Sequence, residues 1–78
     1  MTEQSKTFKF FVDGRQYEVK TRSINGATIK TTANVPAPYQ LFLEEEGDTP
    51  DKPVADSEVL DLEGREKHFF AVPPATFG

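Results

Sequence analysis

The strongest constraint on the fold of this chain is a pair of alternating apolar and polar runs on either side of Asp13 and Gly14. A period of two residues is typical of a strand with one buried face, and an Asp-Gly pair favours the tight turn of a hairpin. The apolar alternating positions are Phe8, Phe10 and Val12 before the turn, and Tyr17 and Val19 after it. The sequence therefore predicts a β-hairpin with these side chains on one face.

The segment after the hairpin carries helix signals instead. Asn25 is a suitable N-cap, and Ile24 just before it can pack onto Ile29 as a hydrophobic staple. Ile29 and Ala33 form one apolar stripe, and Asn34 supplies the left-handed residue that ends many helices. The sequence predicts a short helix here. Its threonines have low helix propensity, so packing against a sheet must stabilise it.

Three further segments carry strand signals. Residues 39–44 alternate as a third strand, which runs into an acidic loop with glycine and proline over residues 45–53. Residues 53–62 predict a short edge strand followed by a tight helical turn. Residues 67–72 predict the last strand, with Phe69 facing the helix.

This order of elements indicates the fold class. Two hairpin strands, a crossover helix and a last strand beside the first indicate an α+β fold of the β-grasp type, with a mixed sheet of roughly four to five strands curled around one short helix. A chain of 78 residues suffices for one such domain. We expect residues 1–6 to form a flexible N-terminal arm, residues 7–72 the ordered domain and residues 73–78 an extended tail.

Composition argues against several classes of function. With no Cys and a single histidine, His68, neither a metal site nor a hydrolytic triad is expected. The formal net charge of -4 disfavours nucleic acid, and the short apolar runs disfavour a membrane span or a signal peptide. The absence of Cys fits a reducing compartment. The sequence therefore predicts a cytoplasmic protein that is not an enzyme and carries no metal or cofactor.

A second set of apolar side chains points away from the helix if the strands alternate as predicted. Phe11, Phe42, Phe70 and Val72 then share the outer face of the sheet. A contiguous apolar patch on a small domain marks a partner site more often than scattered apolar residues do. We therefore expect these four residues to form a partner-binding patch.

The tail carries its own signals. Pro73 and Pro74 lack N–H groups and hold φ near −65°, so the last strand must stop there and an extended path would carry Gly78 roughly 15 Å outward. Glycine has no Cβ, which lets its carboxylate enter a narrow enzyme channel. Gly78 is therefore a candidate reactive end that an enzyme could activate, with Pro73, Pro74, Thr76 and Phe77 as the candidate recognition residues of the tail. The alternative is that the sequence simply ends there.

Four segments together resemble the bacterial multiubiquitin-domain family of ubiquitin-like proteins. They are KFFVDGRQYEV, INGATIK, YQLFLEEEGD and HFFAVPPATFG, and the resemblance covers residues 7–78. Members of that family often carry tandem domains. Ubiquitin ends on Gly-Gly, whereas this chain has Phe77-Gly78.

The resemblance implies a ubiquitin-like modifier that works with an activating-like enzyme, a conjugating-like enzyme and a JAMM-type metallopeptidase, and that is joined to target proteins through Gly78. Two alternatives remain. A sulfur carrier uses the same small fold with a terminal thiocarboxylate, and a non-covalent interaction module would use only the outer face of the sheet.

Overall fold

The computed structural model describes residues 6–64 and 66–75 of the chain. Within that part of the sequence it contains seven strands and one helix. In chain order they are β1 (Phe8–Val12), β2 (Arg15–Val19), β3 (Ser23–Asn25), α1 (Gly26–Thr32), β4 (Gln40–Leu43), β5 (Lys52–Val54), β6 (Val59–Asp61) and β7 (Lys67–Val72).

Five strands form one mixed sheet in the order β2-β1-β7-β4-β5. The pair β1 and β7 is parallel, and the other neighbours in this sheet are antiparallel. Ile29 of α1 is buried in the same core as Phe10, Leu41 and Phe69, so the helix covers one face of the sheet. A mixed five-stranded sheet around one short helix confirms the predicted α+β, β-grasp architecture.

The hairpin of β1 and β2 forms as its sequence predicts. Asp13 and Gly14 have φ of 53° and 81°, the left-handed values that a two-residue hairpin turn requires. The resulting register places Phe10 opposite Tyr17, and their rings stack with centroids 5.8 Å apart. The turn chemistry therefore sets which side chains of β1 enter the core.

Helix α1 has the predicted caps. The side-chain oxygen of Asn25 accepts a hydrogen bond from the backbone N–H of Thr28 at 2.8 Å. At the other end Asn34 adopts a left-handed φ of 59°. Lys30 is buried, and its Nζ donates to the Ala37 carbonyl at 2.8 Å and to Asp56 Oδ1 at 3.1 Å. These bonds attach a helix of only seven residues to the loops around it.

Two segments differ from the sequence prediction. Ser23–Asn25 was expected to be the approach to the helix but forms β3, and Val59–Asp61 was expected within a tight helical turn but forms β6. These strands pair antiparallel as a separate small sheet, with Ile24 opposite Leu60 and both side chains buried. A strand of three residues is too short to show a period of its own, and the non-local pairing decides its conformation.

Ion pairing across the small sheet supports the β3–β6 register. Arg22 donates to both carboxylate oxygens of Asp61, at 3.1 and 3.2 Å. This hydrogen bonding, together with a bond from the Glu63 N–H, holds the pKa of the Asp61 carboxyl below its usual range.

The predicted third strand is β4, which begins one residue later than expected. The Tyr39 N–H donates to the Pro36 carbonyl at 3.0 Å, so Tyr39 belongs to the preceding turn. Beyond the end of β4, the Glu44 N–H donates to the His68 carbonyl at 2.8 Å. The last strand β7 has the predicted bounds, and the edge strand β5 begins at Lys52, one residue earlier than predicted and within the predicted loop.

The start of α1 lies unusually close to the turn between β5 and β6. The N–H groups of Gly26 and Ala27 donate to the carbonyls of Glu58 and Asp56, both at 3.0 Å. A Cβ on residue 26 would collide with the Ala55 carbonyl oxygen, which belongs to the backbone and cannot rotate away. Glycine is therefore required here by lack of space.

We expect Gly26→Ala to lower the free energy of unfolding by about 2 kcal/mol, although alanine is the better helix former. The collision would push α1 off the turn and weaken two hydrogen bonds. Denaturant unfolding measures the change. Thr28→Ala, at an exposed position of the same helix, is the matched control and should leave stability within about 0.5 kcal/mol. A Gly26→Ala protein as stable as the wild type would contradict the steric argument.

Candidate functional site

The four residues predicted as a partner-binding patch lie on the face of the sheet opposite helix α1. Phe11, Phe42 and Phe70 are half-buried, and Val72 is 40% exposed. None of the four belongs to the hydrophobic core cluster or packs against it. They therefore lie together outside the core, on the face of the sheet that helix α1 does not cover.

The rings on this face form two stacked pairs. Phe42 stacks on Phe70 with centroids 5.2 Å apart and an interplanar angle of 11°. Phe11 stacks on His68 at 4.5 Å and 4°. We call the surface formed by Phe11, Phe42, His68, Phe70 and Val72 the aromatic strip.

The strand register explains how these residues meet. Parallel pairing places Phe11 beside His68, and antiparallel pairing places Phe42 beside Phe70. His68, Phe70 and Val72 are alternate residues of β7 and project from the same face. The strip therefore crosses β1, β7 and β4, with β7 in the middle.

The patch predicted from the sequence does not include His68. The signal that was missed is the parallel register between β1 and β7. A period of two identifies which face a side chain takes, whereas the offset between two strands decides which side chain is its neighbour.

An open groove of about 360 Å³ adjoins one end of the aromatic strip. It lies where β4 runs into the acidic loop and where β7 begins, and residues 43–46 and 66–68 line it. The pairing of the Glu44 N–H with the His68 carbonyl connects the two surfaces. We call this concavity the glutamate groove because Glu44, Glu45, Glu46 and Glu66 contribute to it.

The tail begins beside the same strip. Strand β7 ends at Val72, and Pro73, Pro74 and Ala75 are exposed. The Asp13 side chain accepts a hydrogen bond from the Ala71 N–H at 3.3 Å, near the end of the strand. The remaining residues of the predicted tail site, Thr76, Phe77 and Gly78, lie outside the described residues.

The described residues offer neither a cluster of metal ligands nor a helix that could span a membrane. Among residues 6–64 and 66–75, no group of three or more His, Cys, Asp or Glu side chains is placed to hold a metal ion. The same part of the chain has no helix with the length and apolar character of a membrane span.

The placement of the aromatic strip predicts a difference in stability between the two faces. We expect Phe42→Ala to lower the free energy of unfolding by about 1 kcal/mol, because it removes one ring of a half-buried stack outside the core. Phe69→Ala should cost about 3–5 kcal/mol and leave little folded protein, because Phe69 is 1% exposed within the core. Thermal or denaturant unfolding of both variants tests this. Equal losses would mean that Phe42 is a core residue.

Comparison with known proteins agrees with this fold. The multiubiquitin family profile matches residues 8–74. No curated protein and no solved structure matches the chain. The profile spans most of the sequence, including the hairpin, the helix, both stacked pairs and the start of the tail. The chain therefore belongs to the multiubiquitin family and has a ubiquitin-like fold.

Proposed function

We propose that this domain is a ubiquitin-like protein modifier in a bacterial, cytoplasmic conjugation pathway. The observation that carries the proposal is the course of β7. This strand presents the centre of the aromatic strip and then leads directly into the exposed residues 73–75. An enzyme that binds the strip would therefore hold the start of the tail at a fixed distance from the bound surface. Membership of the multiubiquitin family supports the same function.

The chemistry takes place at the carboxylate of Gly78, either as the end of the chain or after a peptidase has exposed it. A carboxylate oxygen attacks the α-phosphorus of ATP, and pyrophosphate leaves. An enzyme thiolate then displaces AMP to give a thioester. A target amine displaces the thiolate, forms an amide and loses a proton. Dividing the reaction in this way is needed because a free carboxylate resists nucleophilic attack.

In this scheme the domain supplies the acyl group and a docking surface and is not itself an enzyme. The partners are an activating-like enzyme, a conjugating-like enzyme, a JAMM-type metallopeptidase and the target proteins. Phe77 precedes the reactive glycine, and a ring of that size needs a complementary pocket in each enzyme. It therefore selects for enzymes of this pathway over those that accept a Gly-Gly end.

A non-covalent interaction module is the second candidate, and the aromatic strip favours it. Two stacked pairs and an exposed Val72 offer an apolar contact surface on a domain of 78 residues. This function needs no free carboxylate at Gly78. The two candidates therefore differ in their response to changes in the tail.

We expect deletion of Gly78 to abolish ATP-dependent activation by the cognate activating-like enzyme without lowering the melting temperature. Phe77→Ala should slow activation roughly tenfold, because the lost ring would have filled a pocket. Mass spectrometry of the reaction with ATP identifies the acyl-adenylate, the enzyme thioester and the conjugates.

Asp48→Asn, in the exposed acidic loop, is the control and should be activated at the wild-type rate. Equal activation of the Gly78 deletion would overturn the modifier and leave the interaction module. A thiocarboxylate at Gly78 in the intact mass of the protein recovered from its host, in place of conjugates, would identify a sulfur carrier.

We also propose a ranking of three lysines as acceptors for a second copy, based on their exposure and bonding. Lys30 is buried and bonded to Ala37 and Asp56, whereas Lys9 and Lys20 are exposed and form no ion pair or hydrogen bond through Nζ within the described residues. We expect limiting acetic anhydride to acetylate Lys9 and Lys20 well before Lys30, as measured by peptide mapping. Fast acetylation of Lys30 would contradict this ranking.

A further inference from the structure

Two carboxylates of the glutamate groove lack the basic partners that several other acidic residues of this surface have. Glu58, Asp61 and Glu63 each lie within 3.5 Å of a basic side chain. In the groove, the carboxylates of Glu44 and Glu66 form no ion pair and accept no hydrogen bond from the described residues. Of the described residues that line this concavity, Lys67 is the one basic residue. The groove therefore presents at least two carboxylates, those of Glu44 and Glu66, to which the described residues supply no partner.

The groove and the aromatic strip form one continuous surface. His68 lines the groove and also stacks on Phe11. An incoming side chain can therefore contact an aromatic face and a carboxylate together. Arginine matches this combination, because its planar guanidinium stacks on aromatic rings and binds carboxylates through paired N–H groups.

The charge of the whole chain argues against other occupants. A second copy would bring a further net charge of -4 to a surface that is already negative. Nucleic acid phosphates would be repelled for the same reason. A purely apolar partner would leave the glutamates beside it without a counter-charge. Charge complementarity thus selects a basic protein segment.

We propose that the aromatic strip and the glutamate groove together bind an arginine-bearing segment of a partner protein. The arginine stacks on the ring face of His68 that Phe11 does not cover and reaches Glu44 and Glu66. An apolar neighbour in the segment packs on Phe42 and Phe70. This inference rests on the proposed use of the strip as a docking surface. It does not depend on the reaction at Gly78.

The test is a nuclear magnetic resonance titration of the ¹⁵N-labelled full chain with the peptide acetyl-Arg-Trp-Arg-amide. The matched peptides acetyl-Lys-Trp-Lys-amide and acetyl-Glu-Trp-Glu-amide keep the length and the ring. We expect shift changes at Glu44, Glu66 and His68, with affinity decreasing from the arginine to the lysine to the glutamate peptide. Salt at 0.5 M should weaken binding of the arginine peptide, because exposed charge pairs are screened.

Charge reversal locates the site. Glu44→Lys and Glu66→Lys should each weaken binding about fivefold or more, because each replaces an attraction by a repulsion. Asp48→Lys makes the same change of charge in the acidic loop but does not line the groove, and it should weaken binding less than twofold. Thermal unfolding confirms that all three variants are folded.

Four results would overturn the proposal. They are no binding of the arginine peptide, equal binding of the arginine and glutamate peptides, equal effects of Glu44→Lys and Asp48→Lys, and a concentration-dependent dimer that occupies the same residues in sedimentation. None of these results depends on ATP or on an activating enzyme. A failure here is therefore distinct from a failure of the tail chemistry.

Discussion

The parallel pairing of β1 with β7 is the interaction on which the rest of the structure depends. It joins two strands from opposite ends of the described chain and places both at the centre of the sheet. On the inner face it brings Phe10 and Phe69 into edge-to-face contact, and on the outer face it stacks Phe11 on His68. Pairing strands so distant in sequence costs chain entropy, which burial of the inner rings must offset. The core and the aromatic strip thus share a single register.

The helix depends on a second constraint, the fit of its first turn against the loop between β5 and β6. A seven-residue helix rich in threonine is not stable alone. Here the N–H groups of Gly26 and Ala27 find carbonyl partners in that loop, and Lys30 reaches across to Asp56. The same contacts hold β6 against β3. Helix, loop and small sheet therefore stabilise one another, and the five-stranded sheet keeps its outer face uncovered by them.

How well the sequence predicts each part of this structure depends on how far apart in the chain the interacting residues lie. The hairpin turn at Asp13, the N-cap at Asn25 and the left-handed stop at Asn34 are local, and each was predicted correctly. Strands β3 and β6 escaped prediction because their conformation comes from pairing with each other. For the candidate site, alternation identified Phe11, Phe42, Phe70 and Val72 as one face. The position of His68 beside Phe11 and the concavity at Glu44 depend on the offset between distant strands, which no local pattern encodes.

The two parts of the proposed function are coupled because one strand serves both. Strand β7 is hydrogen-bonded to β1 on one side and to β4 on the other, so it cannot slide without breaking the core. A partner that binds His68, Phe70 and Val72 therefore sets, relative to itself, the position at which the tail leaves the sheet. Pro73 and Pro74 then restrict the directions that the next residues can take. Such positioning can lower the activation free energy of a reaction by several kcal/mol, because the entropy cost of bringing the reacting groups together is met on binding. Under the proposed function, the same coupling separates roles among residues: side chains of the strip would govern which enzyme binds, and those of the tail would govern what the bound enzyme can do.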